Sequence, residues 1–154
     1  MPIKSFQGER AQKITPTPSK LVVSDIMTHQ LILFNPKQTI HEVMEIFIKH
    51  KISGGPVVND QGDLVGVISE ADCMKEISDS RYFNMPILDK SVAHFMTEKV
   101  ETIAANLSVF DAAALFAKSG RRRYPVMENN RLVGQVSRKD IVISAINMKS
   151  QTWR

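Results

Sequence analysis

The chain has 154 residues, 43% of them hydrophobic, which is enough to bury one core or two small cores that share an interface. Its net charge of +4 suits anionic partners, although the basic residues are dispersed except at residues 121–123. Residues 31–34 form the longest strongly apolar stretch of the first half, far short of the ~20 residues that cross a bilayer, and residues 1–20 contain no secretory apolar region. We therefore expect a cytoplasmic protein that does not enter a membrane.

The sequence divides into a tail, two similar segments and a connector. Residues 1–20 combine charged residues with a stretch rich in Thr and Pro, a composition typical of a flexible tail. We predict a first repeat over residues 21–80, an irregular connector over 81–91, a second repeat over 92–148 and a C-terminal tail over 149–154. The two repeats account for nearly all of the chain that we expect to be ordered.

Each repeat is predicted to contain a strand, a helix, two further strands and a closing helix, in that order. The strands of the first repeat are predicted at residues 31–34, 56–58 and 64–69. Those of the second repeat are predicted at residues 100–103, 125–127 and 132–137. The last two strands of each repeat are separated by a turn that contains Asn, Asp or Gly, which is typical of a hairpin.

The first helix of each repeat is indicated by apolar residues at helical spacing. The stripe of the first repeat comprises Ile40, Val43, Met44, Phe47 and Ile48. The stripe of the second repeat comprises Val109, Ala112, Ala113, Phe116 and Ala117. Thr39 and Ser108 precede the two stripes as N-cap candidates, and a carboxylate follows each of them three residues later. We therefore expect the two helices to begin at equivalent positions.

Identical residues recur between the two segments at a nearly constant offset. Thr28 and Thr97 are 69 residues apart, and Asp72 and Asp140 are 68 apart, after a one-residue deletion in the hairpin turn. Polar and apolar identities that recur together at one period indicate a duplicated structural unit. The predicted fold is therefore of the α/β (α+β) class, with two pseudo-symmetric repeats and a groove along the axis that relates them.

Each repeat ends in a Ser-x-x-Asp sequence, formed by Ser69 with Asp72 and by Ser137 with Asp140. A strand that ends at Ser, followed by a helix, directs backbone N–H groups and the positive end of the helix dipole at one place, which suits a phosphate. The Asp one turn later can accept hydrogen bonds from both hydroxyls of a ribose. The same spacing also resembles a helix capping box, in which the two side chains satisfy backbone donors. The residues alone leave both interpretations open.

These features together resemble a tandem pair of cystathionine-beta-synthase (CBS) domains, often called a Bateman module. The resemblance rests on the Met-Thr pairs that end at Thr28 and Thr97, on the segments HKISGGPVV and GRRRYPVM, and on the GVISEAD and GQVSRKD ends of the repeats. It covers about residues 21–148. It implies that the Ser and Asp of each Ser-x-x-Asp sequence hold an adenosine ligand, which favours the nucleoside interpretation over capping.

The resemblance implies two ligand sites, each built from both repeats. One site is anchored by Ser137 and Asp140, and the residues expected to complete it are Thr28, Ile52, Ser53, Arg122 and Arg123. The other is anchored by Ser69 and Asp72, and the residues expected to complete it are Thr97, Arg121, Arg122, Ser53 and Gly54. Arg121 replaces the Ile52 of the first repeat, and Gln135 replaces its Val67. Each site is therefore expected to have one polar wall residue beside the base.

The nature of the ligand is suggested by Arg121, Arg122 and Arg123. A run of charges is usually a solvated loop. Three guanidiniums beside a helix N-terminus would instead favour a ligand with several phosphate charges, because charged hydrogen bonds contribute about 1.5–3 kcal/mol each. We therefore expect AMP, ADP or ATP in preference to S-adenosylmethionine.

The sequence shows no pattern that indicates catalysis. Its four histidines have neither metal-ligand spacing nor a nucleophile beside them, and there is no Walker-type glycine loop to support nucleotide hydrolysis. Cys73, the single cysteine, lies among apolar positions of a predicted helix and is interpreted as a packing thiol. We expect a protein that is not an enzyme and requires no cofactor or metal.

The leading hypothesis is a regulatory module that binds an adenine nucleotide between its repeats and modulates a partner protein. The resemblance also implies a homodimer, and the interface candidates are the helix over residues 138–148 and the first helix of each repeat. One alternative is a ligand-free scaffold for dimerisation or docking. Others are the binding of S-adenosylmethionine or of RNA, although we do not expect nucleic acid to be the main partner.

Overall fold

Two units with similar orders of helices and strands make up the computed structural model, which describes residues 21–80 and 89–152. The first unit contains α1 (Val23–Ile26), α2 (Ile40–His50), β1 (Gly54–Val58), β2 (Leu64–Ser69) and α3 (Glu70–Ser80). The second contains α4 (Val92–Phe95), β3 (Ile103–Ala104), α5 (Val109–Ser119), β4 (Arg123–Glu128), β5 (Arg131–Ser137) and α6 (Arg138–Thr152). The predicted tail over residues 1–20 and most of the predicted connector lie outside the described residues.

Both predicted hairpins are confirmed as antiparallel strand pairs. Strand β1 pairs with β2, and β4 pairs with β5. Strand β3 joins the second hairpin as a parallel neighbour of β4, where Ile103 lies opposite Val126. The sheets are small, so the faces of the hairpins depend on the helices to cover them.

The strand predicted at residues 31–34 is wrong. Only Phe34 pairs with β1, to which its N–H donates at 2.9 Å and from which its carbonyl accepts at 2.8 Å. The chain turns immediately afterwards, because the N–H of Asn35 donates to Gln38 Oε1 and the N–H of Gln38 donates to the carbonyl of Asn35. The strand predicted at residues 100–103 is likewise reduced and shifted to Ile103–Ala104.

The predicted caps of α2 and α5 are confirmed. The hydroxyl of Thr39 accepts a hydrogen bond from the N–H of Glu42 at 3.1 Å, and that of Ser108 accepts one from the N–H of Asp111 at 3.0 Å. Each bond satisfies a donor that the first turn of a helix leaves without a partner, so the two helices begin at equivalent positions.

Other helical predictions need correction. Ile48, which was included in the apolar stripe of α2, is 79% exposed. Helix α6 continues to Thr152, so residues 149–152 extend a helix where a tail was predicted. The one-turn helices α1 and α4 were not predicted, because four residues are too few to show a helical period. None of the helices in the described part of the chain is both long and apolar enough to span a membrane.

The short helices α1 and α4 each pack into the core of the opposite unit. Val23 and Met27 are buried in the cluster that contains Val126 of the second unit. Val92 and Phe95 are buried in the cluster that surrounds Phe34, Val43 and Val57 of the first unit. The packing units therefore do not coincide with the repeat boundaries in the sequence, and this exchange binds the two halves together.

The segments that follow the two short helices cross the boundary between the units in equivalent ways. Thr28 exchanges backbone hydrogen bonds with Gln135 at 2.8 and 3.0 Å. Thr97 does the same with Val67 at 2.9 and 3.0 Å. The two halves thus make equivalent contacts with each other, which is the pseudo-twofold arrangement that the duplication predicts.

Gly66 and Gly134 allow these crossing segments to approach the hairpins. A Cβ on Gly134 would lie 2.6 Å from Met27 Sδ and 2.8 Å from the carbonyl oxygen of Thr28, and one on Gly66 would lie 2.9 Å from the carbonyl oxygen of Thr97. We expect Gly66→Ala and Gly134→Ala each to lower the free energy of unfolding by about 1–3 kcal/mol, because a backbone segment must move. Urea denaturation measures this change, and an unchanged midpoint for both variants would contradict the close approach.

Candidate ligand-binding cleft

A cavity of about 280 Å³ lies between the two repeats. We call it the Asp72 cavity, because Asp72 lines it at the start of α3. Residues of both hairpins and of the crossing segment after α4 contribute to its wall. Six of the twelve predicted site residues line it, namely Ser69, Asp72, Thr97, Arg121, Arg122 and Arg123.

Asp72 is held rigidly at the wall of this cavity. Its side chain is only 8% exposed, and its Oδ2 accepts hydrogen bonds from the N–H of Ser69 at 2.9 Å and from the hydroxyl of Ser69 at 3.1 Å. Its other oxygen, Oδ1, lies 3.9 Å from Lys75 Nζ, beyond hydrogen-bonding distance. Oδ1 is therefore available to accept a hydrogen bond from a ligand.

Asp140 caps α6 in the same way. The N–H of Ser137 donates to its Oδ2 at 2.9 Å, and its own N–H donates to Ser137 Oγ at 3.1 Å. The capping interpretation is therefore confirmed for both copies of the Ser-x-x-Asp sequence. Capping uses one carboxylate oxygen, so it is compatible with a ligand at the other. Ser137 and Asp140 do not line the Asp72 cavity.

The remaining predicted residues do not line the Asp72 cavity. Thr28 is exposed and pairs with Gln135. Ile52 packs against the core of the first unit, and with Ser53 it lines a separate depression of about 260 Å³. Gly54 is buried and lies against the side chain of Arg123, since a Cβ there would be 2.7 Å from Arg123 Nη1.

Arg123 is the most firmly held of the three arginines. Its Nη2 donates a hydrogen bond to Ser53 Oγ at 2.6 Å, across the boundary between the repeats. Burial lowers the pKa of its guanidinium, and the nearby charge of Arg122 lowers it further. We expected Arg123 at the Asp140 site, but it lines the Asp72 cavity. Its side chain reaches Ser53, the residue immediately before β1.

Arg121 is paired with an acidic residue of the same cavity. Its Nε donates to Glu101 Oε1 at 2.9 Å, and both residues line the wall. Arg122 is exposed, and its side chain makes no hydrogen bond or ion pair with the described residues. Two of the three guanidiniums that we expected near the phosphate therefore already have hydrogen-bond partners among the described residues.

The two polar substitutions between the repeats, Arg121 and Gln135, line one cavity together. One was expected in each site. Glu101 was not predicted as a site residue at all, although a comparison of the repeats could have found it. It stands where the first repeat has Ile32, as Arg121 stands where the first repeat has Ile52. The pair of isoleucines in one repeat is thus replaced by an ion pair in the other.

Cys73 is buried in the core of the first unit, as the packing interpretation predicted. Burial raises the pKa of its thiol to about 11, and Asp72 and Glu70 raise it as well. The thiol is therefore protonated at neutral pH and a poor nucleophile. In residues 21–80 and 89–152, no three side chains of the metal-ligating types converge on one point.

Comparisons with known proteins identify the family and the fold of the chain. The family described as CBS domain matches residues 23–79 and 92–146. The chain is 30% identical to the CBS domain-containing protein YhcV of Bacillus subtilis, over 83% of this chain and 88% of that protein. CBS pairs are typically regulatory, non-catalytic modules.

Two solved structures that resemble this one contain adenosine compounds. The structure of CBSX2 in complex with AMP has a TM-score of 0.72 and 27% identity, and the match covers 84% of this chain and 98% of that chain. The CBS domain pair of protein MJ0100, in complex with 5′-methylthioadenosine and S-adenosyl-L-methionine, has a TM-score of 0.69 and 28% identity, over 82% of this chain and 96% of that one. With the family matched in both repeats, the chain belongs to the CBS domain family as a tandem CBS pair.

Proposed function

We propose that this protein is a non-catalytic cytoplasmic sensor that binds an adenine nucleotide, AMP, ADP or ATP, in the Asp72 cavity and thereby modulates a partner protein. The observation that carries the proposal is the composition of this one cavity. It combines the carboxylate of Asp72, which the N–H of Ser69 holds in place, with the guanidiniums of residues 121–123. The adenosine ligands bound by CBSX2 and the MJ0100 domain pair support the same class of ligand.

The carboxylate suits the sugar of a nucleotide. Asp72 Oδ1 accepts no hydrogen bond from the described residues, and Oδ2 is held in place by Ser69. A ribose presents two adjacent hydroxyl donors, and a carboxylate accepts them without reorganisation. A buried, preorganised acceptor of this kind costs little additional entropy when the ligand binds.

The guanidiniums suit the phosphate of the ligand. Arg122 is exposed with no partner among the described side chains, and Arg123 uses one of its five N–H donors on Ser53. A phosphate oxygen would therefore find donors without breaking an existing bond. This charge favours a nucleotide over S-adenosylmethionine, whose sulfonium is cationic.

Binding at this place provides a route to regulation. The cavity wall includes both Ser69 of the first repeat and Thr97 and Arg122 of the second. A ligand that contacts both halves favours the arrangement in which its contacts are best, and a coupling of roughly 1–3 kcal/mol is ordinary for such effects. The regulated partner would recognise that arrangement.

Isothermal titration with AMP, ADP, ATP, S-adenosylmethionine and a short RNA tests the proposal. We expect saturable binding of at least one adenine nucleotide and weaker binding of S-adenosylmethionine. Tight binding of the RNA alone, with an affinity that falls steeply as salt increases, would favour the nucleic-acid alternative. Absence of binding by all five compounds would favour the ligand-free scaffold.

We also propose that the protein forms a homodimer through its helical faces. Large apolar side chains are exposed on helices of both units, including Ile48 at 79%, Met74 at 53% and Ile146 at 60%. Ile48 and Met74 line one apolar depression together, and exposed apolar surface of this kind favours association. Sedimentation velocity should show a dimer, and Ile146→Glu should shift it to monomer, whereas Gln61→Glu in an exposed turn should not. A monomeric wild-type protein at micromolar concentration would contradict the proposal.

A further inference from the structure

The ion pair between Glu101 and Arg121 lies in the wall of the Asp72 cavity. Its Nε to Oε1 distance is 2.9 Å, and the two side chains are 61% and 40% exposed, so solvent and solutes reach both. An accessible pair of this kind contributes little to stability. The pair lies beside Arg122 and Arg123 in the cavity wall. It therefore matters for ligand binding, because the charge of a bound phosphate would act on both Glu101 and Arg121.

Comparison of the repeats shows that the second repeat has charged residues where the first has apolar ones. The equivalent residues of the first repeat, Ile32 and Ile52, are partly buried and pack against the apolar core of that unit. In the second repeat both are charged and face each other. The second repeat folds around its own core without them. A structural requirement of the fold therefore does not account for the pair.

The charges of the cavity wall show what the pair does to an anion. Asp72 and Glu101 are acidic, and residues 121–123 supply three guanidiniums. Glu101 neutralises one of these, Arg121, which leaves Arg122 and Arg123 for a ligand. A phosphomonoester carries a charge of about −1.5 to −2 at pH 7, so two guanidiniums match it. Each additional phosphoryl group brings further negative charge that Glu101 repels.

We propose that Glu101 is a specificity-determining residue that makes the Asp72 cavity prefer nucleoside monophosphates to di- and triphosphates. This inference rests on the proposed function and narrows its ligand class. Glu101 acts in two ways: it occupies the Nε donor of Arg121, and its own charge opposes a longer phosphate chain. Arg121 has the opposite role, since it shields the ligand from Glu101.

Titration of AMP and ATP in EDTA, without Mg²⁺ to neutralise the phosphates, tests this inference. Wild-type protein should bind AMP more tightly than ATP. Glu101→Gln removes one negative charge, so it should strengthen ATP binding about tenfold and change AMP binding much less. Arg121→Gln should instead weaken ATP binding relative to AMP, because Glu101 then lacks its counter-charge. Opposite shifts of the ATP to AMP ratio in the two variants would identify charge as the cause.

Glu98→Gln is the matched control. Glu98 is exposed and lies three residues before Glu101, and it does not line the cavity. The inference is overturned if Glu101→Gln changes the ratio no more than Glu98→Gln, or if both pair variants shift the ratio in the same direction. It is also overturned if wild-type protein binds ATP as tightly as AMP. Absence of AMP, ADP and ATP binding by the wild-type protein and by every variant would overturn the proposed function itself, and this inference with it.

Discussion

Asp72→Asn is expected to weaken AMP binding about 10- to 100-fold while changing the melting temperature little. Asparagine retains the size of the side chain and one acceptor oxygen, which can still receive the N–H of Ser69. It loses the negative charge and presents N–H donors where a ribose hydroxyl needs an acceptor. One charge-assisted contact is therefore lost, and the helix cap is retained.

Asp140→Asn provides a matched comparison for this experiment. Asp140 occupies the equivalent position, where it accepts a hydrogen bond from the N–H of Ser137 and donates its own N–H to Ser137 Oγ, but it does not line the Asp72 cavity. We expect isothermal titration to show a much smaller loss of affinity for this variant. Equal losses, or a loss for Asp140→Asn alone, would show that the Asp72 cavity is not the principal site.

Phe34→Ala is expected to lower the free energy of unfolding by about 3–5 kcal/mol. Phe34 is 1% exposed and contacts the edge of the Phe47 ring, with 5.5 Å between the ring centroids. Its ring also supports β1 from behind, since a Cβ on Gly55 would lie 2.8 Å from Phe34 Cε2. Gly55 lines the Asp72 cavity, so loss of the ring should weaken nucleotide binding as well.

Leu33→Ala is the control for this variant. Leu33 precedes Phe34 but is 48% exposed, and surface substitutions usually change stability by less than about 0.5 kcal/mol. Urea denaturation followed by circular dichroism compares the two. Similar unfolding midpoints for Phe34→Ala and wild type would contradict the role of this ring in joining α2 to the first hairpin.

Local features of the fold were predictable because they depend on neighbouring residues. The caps at Thr39 and Ser108 and the two hairpins follow from short patterns, and the structure contains all of them. The strand at residues 31–34 failed for a related reason. Its composition favours an extended conformation, but only Phe34 reaches a partner strand before the turn at Asn35.

The cleft was predictable only in part. The two Ser-x-x-Asp sequences indicated where a ligand site would begin, and six predicted residues line one cavity. The individual hydrogen bonds of the arginines were not predicted, because Arg121 meets Glu101 across 20 residues and Arg123 meets Ser53 across 70. Contacts at such separations depend on how the two units are placed against each other.

The amino-acid sequence by itself determined the duplication, the order of the main helices and hairpins, and the acid that caps the closing helix of each repeat. These follow from short-range periodicity and from residues that recur at one offset. Only the tertiary structure decided that α1 and α4 exchange between the units and that Glu101 faces Arg121. The physical reason is that apolar burial and backbone pairing across the pseudo-twofold axis choose which distant segments meet, and no local pattern encodes that choice.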